Sequence, residues 1–298
     1  MNCTAVHLTN KNINIFINSI LPYEHVCVNL AECLKKQKRF FDTEQNLFNF
    51  IKADAFFSQN QEFIGILFLA AHGVLLHCFP KNITEEIKQY IKKDFLKHTN
   101  PLSVMGEKNT SIYLEKLINE SLSLVPERFE DYKLLTLTNK PASSNIFCIR
   151  ASDNLNSKLE FIKPPIEDTK LLCPMEIEYN ETEVLAPGIK ASRGSCLKLL
   201  KKRINSHALY AVKKEGKYIA KACINASGFY WNQIGGVFTL PEYRNKGVGA
   251  ANMMMLINDS FQYKKKCALF VKIKNQAARQ MYKKIGFKEF CDFRISYF

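Results

Sequence analysis

The sequence lacks the spacings by which several chemistries are recognised. Its ten cysteines include no C-x-x-C pair and no Cys/His cluster at zinc-ligand spacing. That leaves no basis for a metal site or a dithiol redox centre. The cysteines read as free, mostly buried thiols of a reducing compartment, with Cys27 and Cys33 the closest pair in sequence. A membrane-length apolar run is also missing. Phe63 to Phe79 holds seventeen residues without a formal charge, short of the roughly 20 that a spanning helix needs. Gly65, His72, Gly73 and His77 interrupt it, and it reads as strand–turn–strand with the turn near Ala71-His72-Gly73. The opening stretch MNCTAVHLTNKNIN has no basic region followed by an apolar one, so no secretory signal is read there. The expectation is a cytoplasmic protein without a membrane partner.

Acidic residues are in deficit. There are 28 Asp and Glu against 42 Lys and Arg, a net charge of +14, and nucleic acid is the first partner such a balance suggests. The lysines are scattered, however, and are not interleaved with aromatics as in a base-stacking groove. Nucleic acid is therefore not the expected main partner. A basic surface also attracts a small polyanion.

The length, 298 residues, is comfortable for two domains. Residues 12–39 read as helix in two pieces broken near Leu21-Pro22, and 46–51 as a strand. Thr84 followed by Glu85 and Glu86 opens a helix. Residues 101–106 and 132–138 read as strands around a helix over 110–122. A hinge composition at 140–145 places the boundary, with domains at 1–144 and 145–298 and a new strand at 146–150. Residues 195–205 form a basic amphipathic helix, and 208–212 with 218–224 form a hairpin around KKEGK. The two halves share an order of elements, which suggests a distant duplication.

The chemistry concentrates between Ile234 and Phe287. A strand ends at Thr239, and Arg244-Asn245-Lys246-Gly247-Val248-Gly249 then leads into a helix. N–H groups at a helix start have no intrahelical partner and favour an anion. Glycines there let a phosphate approach without a Cβ in the way. The loop is not the dinucleotide G-x-G-x-x-G, since Asn252 stands at the third glycine position, and no G-K-[ST] of a phosphate-binding P-loop follows.

Val-x-Thr-x-Pro-x-x-Arg-x-x-Gly-x-Gly over Val237–Gly249, then Asn275, Ala278, Met281, Tyr282, Gly286 and Phe287, resembles the GNAT family of N-acetyltransferases over about 54 residues. The resemblance implies an α/β (α+β) fold: a mixed, largely antiparallel sheet, with a splayed parallel strand pair flanked by helices. The first half would be a degenerate copy, since Met105-Gly106 is its only echo of the loop. Acetyl-CoA would lie between the strands at 237–239 and 269–271. The main chain of Val237, Phe238 and Thr239 would meet the pantetheine. The loop of Arg244, Asn245, Lys246, Gly247, Val248 and Gly249 would hold the pyrophosphate, with Asn275 and Ala278 beside the arm. Tyr282 would protonate the leaving thiolate, while a small-molecule or peptide amine attacks. Without the resemblance, Asn275 reads as a helix N-cap, Gly286 as a C-cap and Tyr282 as a packing residue. Members of the family often carry a carboxylate on the strand before the loop, but WNQIGGVFT has only Asn232 and Gln233. Glu242 reads as a solvent-facing loop residue, and Glu176, Glu178, Glu181 and Glu183 as solvated acids; no base is assigned. The alternatives are an acyl-CoA sensor without turnover and a basic nucleic-acid-associated protein.

Overall fold

A computed structural model describes residues 3–43, 48–141, 159–186 and 188–298. The elements of the first half are β1 Cys3–His7, α1 Ile13–Ile20, α2 Val28–Asp42, β2 Phe50–Ser58, β3 Phe63–Ala70, β4 Val74–Cys78, α3 Glu85–Tyr90, β5 Ser103–Glu107, α4 Lys108–Leu122 and β6 Arg128–Leu137. The second half repeats that order with β7 Leu159–Ile162, α5 Thr169–Tyr179, α6 Arg193–Asn205, β8 Leu209–Lys214, β9 Lys217–Ser227, β10 Trp231–Thr239, α7 Val248–Gln262, β11 Lys266–Lys272, α8 Gln276–Ile285 and β12 Lys288–Tyr297. In each half, one strand and two helices precede three strands, a helix, a strand, a helix and a last strand. Short 3-10 and π turns extend several helices.

The apolar run at 63–79 is indeed strand–turn–strand. Along β3, Ile66, Phe68 and Ala70 face the cluster formed with α1 and α2, while Ile64, Leu67 and Leu69 face the one formed with α3 and α4. A strand covered on both faces has no reason to alternate polar and apolar residues. Among the described residues no helix is long and apolar enough to cross a membrane. Strand β2 begins at Phe50, later than the expected start, and residues 44–47 lie outside the description. The strand expected at 146–150 and the boundary near residue 144 also lie outside the described residues.

The twelve strands of the described residues form one sheet in the order β1-β2-β3-β4-β5-β12-β6-β11-β10-β9-β8-β7. Pairing is antiparallel except at β4–β5 and β10–β11. The halves therefore exchange their last strands: β12 lies between β5 and β6, and β6 lies between β12 and β11. Lys288↔Thr136 to Tyr297↔Arg128 set the register at the centre. Arg294 there donates through Nε to Asp131 Oδ1 at 2.7 Å and through Nη2 to Oδ2 at 3.1 Å.

The first half also docks on the β9–β10 turn. Glu24, fully buried, accepts from the N–H groups of Tyr230 at 3.0 Å and Trp231 at 3.2 Å. Gly228 is required beneath it, because a Cβ there would stand 2.0 Å from Glu24 Oε1.

Candidate active site

Strands β10 and β11 pair in parallel from Trp231↔Lys266 to Ile234↔Leu269, and no pair follows. The cause lies on the other edge of β10. Its register with β9 shifts between Gly235 and Phe238, and Gly236 sits at φ +58. Gly235 approaches Asn225 so closely that a Cβ would meet Nδ2 at 2.0 Å. A bulge bends its strand, and here the bend opens a cleft of about 1470 Å³ between β10 and β11. Val237, Phe238 and Thr239 line it.

At one end of the cleft stands the start of α7. Asn245 at φ +59 and Gly247 at φ +78 turn the chain into the helix. No side chain caps it and no acid lies in its first turn, so its first N–H groups remain available to an anion. Gly249 is closed to a side chain, since a Cβ would lie 2.8 Å from Thr239 Oγ1. Arg244, Asn245, Gly247, Val248 and Gly249 all line the cleft. Lys246 is not among the lining residues; its Nζ donates to Glu242 O at 2.9 Å. Arg244 Nε donates to Thr239 O at 3.0 Å, which ties the loop to the strand end.

The far wall is α8. Asn275 Oδ1 accepts from Ala278 N–H at 3.1 Å, so its side chain caps the helix as it faces the cleft. Ala278, Met281 and Tyr282 follow along the wall. Tyr282 is 6% exposed, with its ring edge-on to Phe287 at 5.9 Å. Burial, and then the neighbouring Tyr179 and Glu183, push its phenol above the usual tyrosine range. It stays protonated at neutral pH.

Several cleft residues were not legible as such in the sequence. Glu176, grouped there with solvated acids, is fully buried. Its carboxylate holds Lys221 Nζ at 2.8 Å and Arg203 Nη1 at 3.1 Å. Lys221 is 1% exposed; it donates to Gly236 O at 3.2 Å and lies 3.9 Å from the Tyr179 ring centre. The ion pair thus fixes the carbonyl at the centre of the bulge. Arg203 Nη2 reaches Asn225 Oδ1 at 3.1 Å, on the strand beside the bulge. Removing one partner of such a buried pair costs about 3–5 kcal/mol. Pro174 and the surrounding acids concealed α5, which carries Glu176 and Tyr179. Glu242, 54% exposed and paired with Lys217 at 3.5 Å, is the solvent-facing residue expected. Asn29, Met105 and Tyr132 from the first half also line the cleft.

The equivalent place in the first half is filled. Beyond Leu76↔Met105 the parallel pair β4–β5 ends at His77, which is 3% exposed and hydrogen-bonded with Ser111 Oγ at 2.8 Å. Its ring lies 2.2 Å from where a Gly106 Cβ would be. Burial lowers its pKa to about 3, so the ring is neutral. The start of α3 is capped by Thr84 Oγ1, which accepts from Ile87 N–H at 3.3 Å, with Glu85 and Glu86 in its first turn. Two carboxylates in that first turn put negative charge beside the helix start.

Among the described residues no cluster of three or more His, Cys, Asp or Glu is placed to hold a metal.

A strand pair splayed by a bulge, with an uncapped helix start at its mouth, defines the cleft. Residues 178–287 match the sequence model of the acetyltransferase (GNAT) family, so this stretch is a GNAT-family domain. The fold of the whole chain is that of tandem GNAT proteins. A Drosophila protein superposes with a TM-score of 0.65 at 12% identity, covering 99% of this chain and 98% of its own. A GCN5-related N-acetyltransferase from Sphaerobacter thermophilus gives 0.56 at 11% identity, with 99% and 94% covered. A tandem GNAT protein from the clavulanic acid biosynthesis pathway gives 0.56 at 9% identity, with 99% and 97% covered. No functionally curated protein matches the sequence.

Proposed function

We propose that the chain transfers an acetyl group from acetyl-CoA to an amine, by direct attack and at one site per chain. The observation that carries this reading is the end of β10–β11 pairing at Ile234↔Leu269, with the uncapped start of α7 at the mouth and Tyr282 on the wall. The residues fit the donor. The free N–H groups of α7, Gly247 and Gly249 would receive the pyrophosphate. The unpaired edge of β10 over Val237–Thr239 would receive the pantetheine amides, and Asn275 and Ala278 would flank the arm.

A neutral amine attacks the thioester carbonyl carbon. The C–N bond forms, the C–S bond breaks, and the amine nitrogen gives up a proton to water in the cleft, from which the tyrosine is reprotonated. Tyr282 donates toward the departing sulfur. A thiol near 8.5 is a good leaving group, and the raised phenol pKa makes full transfer from tyrosine uphill. Tyr282 therefore assists by a hydrogen bond, or by transfer late in bond cleavage. Burial of the phenol keeps it a donor throughout the working pH range.

The test is a panel of primary amines, including peptide α-amines and lysine side chains, incubated with acetyl-CoA while free thiol is followed. Amine-dependent thiol release is expected. CoA binding without release for any amine would leave a sensor instead of an enzyme.

A further inference from the structure

The face of β10 opposite α7 is apolar except at one point. Trp231, Ala226 and Ala268 form its floor, together with Val28 from α2 and Leu134 and Phe293 from the exchanged strands. Gln233 rises from that floor. It is paired in register with Ala226 on β9 and Ala268 on β11, so the smallest side chains flank it and leave a depression. Asn29, Met105, Tyr132 and Phe270 line the cleft around it. Gln233 is 4% exposed, yet its Oε1 has no hydrogen-bond partner among the described residues. A buried amide oxygen without a partner costs about 1–3 kcal/mol. The neighbouring Asn232 faces α7 instead and donates to Ser260 at 3.1 Å. The unmet acceptor lies one residue before the point where β10 and β11 part.

We infer that Gln233 receives the acceptor, a primary amine, by accepting one of its N–H groups at Oε1. This deepens the acyltransferase reading and rests on it. The amide oxygen orients the nitrogen so that its lone pair faces the thioester carbonyl. It takes no proton, because a carboxamide is not a base at neutral pH. As the C–N bond forms, the nitrogen becomes positively charged and its remaining hydrogens become stronger donors. The hydrogen bond to Gln233 therefore strengthens in the transition state, which is the condition for raising the rate as well as affinity. The first half of the chain supplies α2, β5 and β6 to this wall, so the acceptor end is built by both halves and the CoA end by the second alone.

The test compares Gln233→Met with Gln233→Glu in the full chain. Both keep the length of the side chain; only Glu keeps an oxygen for the N–H. With the best amine of the panel, Gln233→Met should lose roughly 10–100-fold in kcat/KM for the amine, the size of a hydrogen bond to a group gaining charge. Its melting temperature should be no lower than that of the wild type, since the unmet oxygen is gone, and its calorimetric affinity for CoA should match. Gln233→Glu should recover at least tenfold of that loss. Unchanged amine kinetics in Gln233→Met would overturn the assignment, as would equal losses in both variants with CoA affinity intact. If Met lowers the melting temperature, the Glu variant and amine binding to the CoA complex by calorimetry still decide, since the inference requires Glu to bind the amine and Met to bind it at least tenfold more weakly. A wild-type chain that releases no thiol with any amine would sink the acyltransferase reading itself, a result separate from these.

Discussion

Tyr282 shows how little a single residue type says without its surroundings. As a helix aromatic it could pack and nothing more, and its ring does pack on Phe287. It also lies on the wall of the β10–β11 cleft. If it is the proton donor, Tyr282→Phe keeps the ring and loses the hydroxyl. Turnover should fall at least tenfold, a floor below the 10²–10⁴ of general-acid catalysis because the thiol leaves readily and water can substitute in part. CoA affinity should change little. Single-turnover rates are the measurement; a wild-type rate would leave Tyr282 a packing residue. The motif pointed to Tyr282, but no motif pointed to Glu176 or Lys221. In sequence Glu176 is one of four acids in a short stretch. Only the fold places it between two cations, beneath the carbonyl of Gly236.

At the scale of elements, the exchanged strands carry the test. Arg294 on β12 and Asp131 on β6 face each other in register and form a two-point ion pair, which Lys108 joins at 2.7 Å. Hydrogen bonds from Arg294, then from Lys108, hold the Asp131 carboxyl below its ordinary range. The folded state thus favours the ionised form. The stabilisation is full above the unfolded carboxylate pKa, about 3.9, and is lost as pH falls through the lower folded value. Asp131→Asn should cost about 2 kcal/mol at pH 7. Denaturant midpoints measured from pH 7 down to pH 2 should show the gap between wild type and variant closing at the acid end. A gap independent of pH would assign the loss to packing. The long, patterned elements were readable in advance, α6, α7 and α8 among them, because their apolar spacing and, in α8, the caps at Asn275 and Gly286 are local. Helix α5 was not, because Pro174 lies inside it and its buried acid looks like a surface residue.

At the scale of the molecule, the repeated order of elements raises the question of how many CoA sites exist. The first-half cleft is filled by His77, and its helix start is capped by Thr84 and flanked by Glu85 and Glu86. A phosphate there would meet like charge and find an N–H already taken. One CoA per chain is expected by calorimetric titration. Gly249→Asp, which adds bulk and a negative charge beside Thr239, should reduce the count to none without exposing a second site. A stoichiometry of two, or residual tight binding in the variant, would place a site in the first half.

The sequence by itself marked the glycine loop and the helix that line the cleft. The glycines at 247 and 249, the N-cap at Asn275 and the C-cap at Gly286 are backbone requirements that few residue types meet, so they can be read one position at a time. It also carried the repeated order of elements. Tertiary structure alone decided three things: that β6 and β12 cross into each other's half, that a buried ion pair holds the bulge of β10, and that Gln233 faces the cleft while Asn232 does not. Each depends on contacts between residues far apart in the chain. Strand pairing is set by which apolar faces can be buried together, and a one-residue shift in register sends a side chain to the opposite face. No local pattern encodes that choice.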